Sequence, residues 1–178
     1  MAPQAATPLP THMLPLQARI LARLDALGID YTCQTHAPVL TMADAAAVRP
    51  GLLDVPHCKN LCLTPVRRAQ GRVFLLVLQE HKRADLRDIA AQIGTAKLQL
   101  VPPDVLLETL GVTPGAVSPL ALVHPGAREV TVLLDSALAE QPMVCFHPGV
   151  NTASLAMATG DLMRFLDAVG NARQTVIA

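Results

Sequence analysis

The chain has 178 residues, enough for one domain with a proper hydrophobic core and too few for two of ordinary size. Hydrophobic residues make up 51% of it, yet only Tyr31, Phe74, Phe146 and Phe165 are aromatic, so Leu, Val, Ile and Ala must build the core. Basic and acidic side chains balance at 14 each and are spread along the chain, which excludes a disordered or supercharged protein.

Residues 1–14, rich in Pro, Ala and Thr, lack a basic start followed by an apolar run, so a frayed leader is expected there rather than a secretory signal. Residues 15–178 then form a single domain. Leu16, Ile20, Leu24 and Leu27 recur at helical spacing before Gly28, predicting an amphipathic helix with a glycine stop. Residues 31–36 are rich in β-formers and predict a short strand. Thr41 with Asp44 three positions on resembles an N-cap, and Ala45, Ala46 and Ala47 suit a short helix ended by Pro50. A loop through Gly51 and Pro56 leads to a strand at 59–64. The apolar run 73–78 predicts a strand buried on both faces. Asp85 is placed to cap a helix through Leu86, Ile89, Ala90 and Ile93, stopped at Gly94. Residues 97–101 alternate like a strand, and Pro103 opens a helix through Leu110 that stops at Gly111.

The 111–119 segment, GVTPGAVSP, holds two glycines and two prolines and reads as a structured loop. Strands are expected at 120–123, 129–134, 143–147 and 154–158. A last helix follows from a Thr159 cap through Leu162, Phe165, Leu166 and Val169 to Gly170, with an edge strand at 175–177. No segment reaches the roughly 18–20 apolar residues that span a bilayer. Helices and strands interleave irregularly, which favours an α/β (α+β) class with a mixed, partly barrel-like sheet and flanking helices.

Four cysteines (Cys33, Cys58, Cys62, Cys145) are too few and scattered for a disulfide framework, and a cytoplasmic protein would keep them reduced. Residues 1–100 carry eleven basic and seven acidic side chains, whereas 101–178 carry three and seven. Lys59, Arg67, Arg68, Arg72, Lys82, Arg83 and Arg87 concentrate positive charge, and such a face can hold a phosphate backbone on a neutral molecule. The plainer reading is a solvated surface.

Three places carry polar residues that a core does not require. Lys59 and Asn60 open a strand, where a lysine can sit over a phosphate or a polarised carbonyl. In the 111–119 loop, backbone N–H groups can point at a ligand, and Ser118 adds a hydroxyl. In FHPGVNTAS, the Pro148–Gly149 turn gathers His147, Asn151, Thr152 and Ser154, and His147 can exchange a proton with a reacting ester at neutral pH. His57, Cys58 and Cys62 lack the spacing of a zinc site, so no metal is expected. A Cys145–His147 nucleophile pair is disfavoured because Cys145 lies in an apolar strand. No serine nucleophile elbow or P-loop is present.

Together CKNLCL, FLLVLQEHKRADLRDIA, GVTPGAVSPLAL and VCFHPGVNTASLAM resemble the YbaK-type aminoacyl-tRNA deacylases, and within them the proline-tRNA editing branch. The resemblance runs from about Leu16 to Phe165. It implies a compact α/β fold, no cofactor, and hydrolysis of an amino acid, most simply alanine, from mischarged proline tRNA. It implies that Lys59 is the family's required lysine and His147 the histidine of its FHP motif. Gly115, Ser118 and Pro119, with Gly111 and Asn60 beside them, match the substrate-binding elements, as do Asn151, Thr152 and Ser154. Arg67, Arg68, Arg72, Lys82 and Arg83 are then expected to contact the tRNA acceptor stem, with prolyl-tRNA synthetase a candidate partner and neither membrane nor DNA involved. Two departures stand out: His124–Pro125–Gly126 where relatives carry an Asn–Asp pair, and an expanded hairpin at 67–71. The rivals are a cysteine-removing or other small-amino-acid deacylase, a non-catalytic aminoacyl-tRNA-binding module, and a general nucleic-acid binder, the last disfavoured by the scarcity of aromatics.

Overall fold

The computed structural model describes residues 15–39, 54–66 and 71–178. The leader, the helix expected after Thr41, and Arg67 and Arg68 lie outside the described residues. In chain order the elements are α1 (Leu16–Ala26), β1 (Tyr31–Thr35), β2 (Cys58–Pro65), β3 (Phe74–Gln79), α2 (Leu86–Gln92), β4 (Leu98–Leu100), α3 (Pro103–Leu110), β5 (Thr131–Asp135), β6 (Met143–Phe146), β7 (Ala153–Ala158), α4 (Thr159–Val169) and β8 (Arg173–Val176). Five strands form a mixed sheet in the order β4-β2-β3-β5-β8, antiparallel across β4, β2 and β3 and parallel across β3, β5 and β8. A second, antiparallel sheet has the order β1-β7-β6. The sheets adjoin where His57 bridges Cys145 and the Cys145 N–H donates to the Pro56 carbonyl at 3.0 Å. That contact is the extent of barrel closure among the described residues.

The expectation of a doubly buried strand at 73–78 is met by β3, in which every residue is buried. Its alternate side chains feed two cores. Leu75 and Val77 join Ile20 and Leu24 of α1, Leu106 and Leu110 of α3, Phe146, Leu155 and Phe165 in the larger one. Phe74, Leu76 and Leu78 join Leu63, Ile89, Leu98 and Leu133 under α2 in the smaller. Glycine stops close the helices as expected: Gly111 follows α3 at φ +67° and Gly170 follows α4 at φ +77°. Asp85 caps α2 by accepting from the Arg87 and Asp88 N–H groups.

Two expectations fail. Residues 120–123 are not a strand but part of a 3-10 turn, Pro119–Val123. The Ser118 hydroxyl accepts from the Leu120 N–H, and Pro119 occupies the first helical position. This is a cap signal that outweighs an apolar run whose period fits strand and helix alike. Nor does Thr159 cap α4. The cap position falls on Ala158, because β7 runs straight into the helix, and the Thr159 hydroxyl donates instead to the Gln141 carbonyl at 2.5 Å.

A second 3-10 turn, Pro125–Ala127, packs against α3 so closely that a Cβ on Gly126 would lie 2.3 Å from the Glu108 carbonyl oxygen. Backbone cannot yield there as a side chain can. Gly126→Ala is expected to cost about 2 kcal/mol or more, lowering Tm by about 4–8 °C. Gly160→Ala, where a Cβ meets nothing within 4 Å in the first turn of α4, is expected to stabilise by up to about 1 kcal/mol. Thermal unfolding of the two variants beside wild type checks both signs.

Candidate functional site

Side chains alternate across β2, so the neighbours Lys59 and Asn60 leave the strand on opposite faces. Lys59 shares its face with Leu61 and Leu63, and its ammonium donates to the Lys82 carbonyl just beyond β3. Asn60 shares its face with Cys62 and donates its amide N–H to the Val117 carbonyl at 3.0 Å, tying β2 to the 111–119 loop. Reversing the Asn60 amide would set its oxygen against that carbonyl, so the contact assigns the group's orientation. Its Oδ1 is buried and has no hydrogen-bond partner among the described residues, an arrangement that protein interiors seldom leave without a purpose.

Within the loop, Gly115 adopts φ +90°, a region open to glycine. Ser118 is fully buried and spends its hydroxyl on the cap of the 3-10 turn; Pro119 is buried too. Gly111 faces the His124 ring, which a Cβ would meet at 2.7 Å, so His124 acts as packing beneath the end of α3.

The FHP turn is built on α1 and β7. Leu16 and Ile20 press against Gly149, where a Cβ would meet each at 3.1 Å. The His147 Nδ1–H donates to the Ala153 carbonyl at 2.8 Å, which leaves Nε2 as the acceptor of a neutral ring. Burial pushes the His147 pKa below its ordinary 6.5. The bond to Ala153 opposes that shift, the His36 and His57 charges add to it, and Glu80 opposes it. The ring centroid of His36 lies 5.7 Å away. His36 holds its own Nδ1–H on the Ala37 carbonyl at 2.7 Å, so its Nε2 receives the hydroxyl of buried Ser154 at 2.9 Å. Asn151 and Thr152 contribute carbonyls that accept from the Val39 and His36 N–H groups.

The structure thus joins Asn60 to the 111–119 loop, and His147 to the 151–154 segment. It turns Lys59 toward Lys82. Sequence reasoning missed His36, whose link to Ser154 spans 118 positions; the signal for it was a histidine closing a strand, which has no meaning until the register with β7 is known.

Of the expected phosphate ligands, Lys82 is bound to both oxygens of buried Asp135, at 2.8 and 2.7 Å. Arg72 lies over the Phe74 ring at 5.0 Å, and Arg83 is exposed. Among the described residues no group of three His, Cys, Asp or Glu is placed to hold a metal ion. A cleft of about 720 Å³ lined by Asp135, Pro142, Gly160 and Arg173 contains none of the candidate residues.

Burial pushes the Cys58, Cys62 and Cys145 thiols up to about 12, so they stay protonated at neutral pH and are poor nucleophiles. The Ser118 and Ser154 hydroxyls are both engaged. What remains is a neutral imidazole, an orphaned carboxamide oxygen and a glycine-containing loop. Groups of these kinds can bind or orient a ligand but do not form a covalent intermediate.

The chain is of the aminoacyl-tRNA editing class. Residues 36–165 match the family model for the aminoacyl-tRNA editing domain, and the chain belongs to that family. It is 34% identical over 153 residues to the prolyl-tRNA editing protein ProX of Acetoanaerobium sticklandii, covering 85% of this chain and 91% of that one. It is 26% identical over 147 residues to the multifunctional Ser/Thr-tRNA deacylase ProXp-y of Escherichia coli K12, covering 82% and 85%. A solved structure described as a candidate trans-editing enzyme for prolyl tRNA synthetase superposes with a TM-score of 0.67 at 20% identity, over 93% of this chain and 97% of that one, which shows the shared fold. No helix among the described residues is long and apolar enough to cross a membrane.

Two outcomes follow. Iodoacetamide at neutral pH is expected to label exposed Cys33 and spare Cys58, Cys62 and Cys145 in the folded protein, as peptide mapping would show. Ester hydrolysis by wild type should hold as pH falls to 6.5 and decline only below it, as His147 takes up a proton. The same profile measured on His147→Gln should lack that acid limb.

Proposed function

We propose that the chain is a trans-acting deacylase that hydrolyses the aminoacyl ester of mischarged proline tRNA, with alanine as the amino acid removed. The observation that carries this reading is Asn60: tied to the 111–119 loop through Val117, it holds a buried carboxamide oxygen that has no hydrogen-bond partner among the described residues. The α-ammonium group of an aminoacyl ester supplies the missing donor. The ester would lie along the 111–119 loop, and His147 Nε2 would orient the attacking water. The Lys59 bond to the Lys82 carbonyl is one that a long, flexible side chain can exchange for the terminal phosphate or ribose of the RNA. This protein would act in the cytoplasm beside prolyl-tRNA synthetase.

The chemistry demands little else. An aminoacyl ester is already activated, and its neighbouring ribose hydroxyl can assist, so orientation and charge stabilisation suffice without a nucleophile. The need for such an enzyme is physical as well. A synthetase pocket shaped for proline rejects the smaller alanine by only about 1–3 kcal/mol, and a second site must remove what the first admits. The relative named as a Ser/Thr-tRNA deacylase supports a second reading, in which the amino acid removed carries a hydroxyl.

Release of amino acid from proline tRNA charged separately with alanine, cysteine, serine and proline separates these readings. Alanine is expected to leave fastest and proline to be spared; preferential release of serine would favour the second reading. Asn60→Ala is expected to lower kcat/KM by about 10- to 100-fold, the worth of one hydrogen bond to a charged group. Lys59→Ala is expected to lower it by orders of magnitude. Full activity in either variant would remove that residue from the site.

A further inference from the structure

Positive charge also gathers outside the 59–87 band, in a groove of about 440 Å³ between α1, the two 3-10 turns described above and the end of α4. Arg19, Arg23, His124 and Arg128 line it, and among the described residues no Asp or Glu does. In a chain of net charge zero, three guanidinium groups gather there without a carboxylate among the described lining residues.

The geometry of two of them, Arg19 and Arg23, is set by neutral partners. Arg19 donates to the Val123 carbonyl at 2.5 Å and Arg23 to the Ala168 carbonyl at 2.7 Å. Each bond uses one nitrogen of a group with five N–H donors, so it fixes the guanidinium without cancelling its charge. The ion pairs of the described residues engage Lys82, Arg164 and Arg173, none of which lines the groove. Arg128 is exposed and makes no hydrogen bond or ion pair among the described residues.

The groove also lies close to the candidate site. Helix α1 forms one of its walls and presses its first turn against Gly149, beside His147. From Leu16 to Arg23 the helix advances by about 10 Å. The wall formed by Val123 and His124 continues directly from the substrate loop through the Pro119–Val123 turn. A surface so placed is within reach of the phosphates that follow an aminoacyl end held beside His147.

We propose that the Arg19–Arg23–Arg128 groove binds the sugar-phosphate backbone of the RNA substrate just inside its 3′ end. The inference rests on the deacylase reading above. The held forks of Arg19 and Arg23 and the free fork of Arg128 match phosphate oxygens, and the groove supplies affinity without reading sequence.

The test is the Kd of uncharged proline tRNA for wild type, Arg128→Glu and the Arg23→Gln/Arg128→Glu double variant across a salt series. Arg128→Glu is expected to weaken binding about fivefold or more at low salt and to make the plot of log K against log salt shallower by about one. The double variant should lose more. Arg23→Gln also removes a bond to α4, so thermal unfolding is compared; should the double variant unfold, Arg128→Glu decides alone. Unchanged affinity and slope in Arg128→Glu would overturn the proposal, including the case in which the groove serves an acidic protein instead. Wild-type ester hydrolysis, measured alongside, separates the failures: an active wild type with an indifferent groove leaves the deacylase reading standing, whereas an inactive wild type that binds no RNA removes both.

Discussion

The arrangement of the site depends on the two-residue period of β2. Adjacent side chains on a strand point to opposite faces, so Lys59 and Asn60 cannot both face the same cavity from the body of β2. Asn60 turns to the side of the larger core and ties the strand to the 111–119 loop. Lys59 emerges on the side of the smaller core, at the rim where β3 ends, and meets Lys82. That rim belongs to a charged chain of contacts: Lys82 pairs with buried Asp135, which also accepts from the Ala178 N–H. One strand thus divides an adjacent lysine and asparagine between the rim beside Lys82 and the 111–119 loop. Any role for Lys59 in catalysis requires its long side chain to leave the carbonyl it now holds.

Burial then decides which groups can react. Removing a thiol or an imidazole from water disfavours the charged form of each, with opposite consequences. For Cys58, Cys62 and Cys145 the charged form is the nucleophile, so burial silences them. For His147 the charged form is the useless one, so the same burial keeps Nε2 free to accept a proton across the neutral range. His36 and His57 reinforce this effect, since a second positive charge nearby would raise the cost of protonating His147 further. An environment that leaves cysteines inert and a histidine neutral suits catalysis by an oriented water.

Much of the fold was legible because its signals are local. The glycine that ends α3, the Asp85 cap of α2 and the unbroken apolar run of β3 each lie within one short window. The 120–123 segment departs from the expected strand because two local signals compete there. Its apolar run suits a strand, and only the Ser118–Pro119 cap at its start distinguishes a 3-10 turn. Site residues separate along the same line. The FHP turn and the glycine-containing loop stand out by composition, but the His36–Ser154 bond depends on β1–β7 register, and the Lys82–Asp135 pair joins positions 53 apart. Sequence proximity grouped Lys82 with the basic residues around it; the fold gave it a carboxylate from the end of β5.

That reassignment changes what a neutral chain can offer an anionic partner. A run of basic residues in sequence is a sum of formal charges, whereas a phosphate responds to the charge left after pairing and to how firmly the donors are held. Lys82 is neutralised by Asp135, and Arg72 lies over an aromatic ring. The arginines of α1 are spaced one turn apart, each held by a main-chain carbonyl that fixes its position and leaves its charge intact. Net charge of zero is therefore no obstacle to binding RNA, since the field that matters is local and falls off within about 8–10 Å at physiological salt. A helix that also buttresses the FHP turn is well placed to apply that field, because the rigid packing that positions His147 positions the arginines with it.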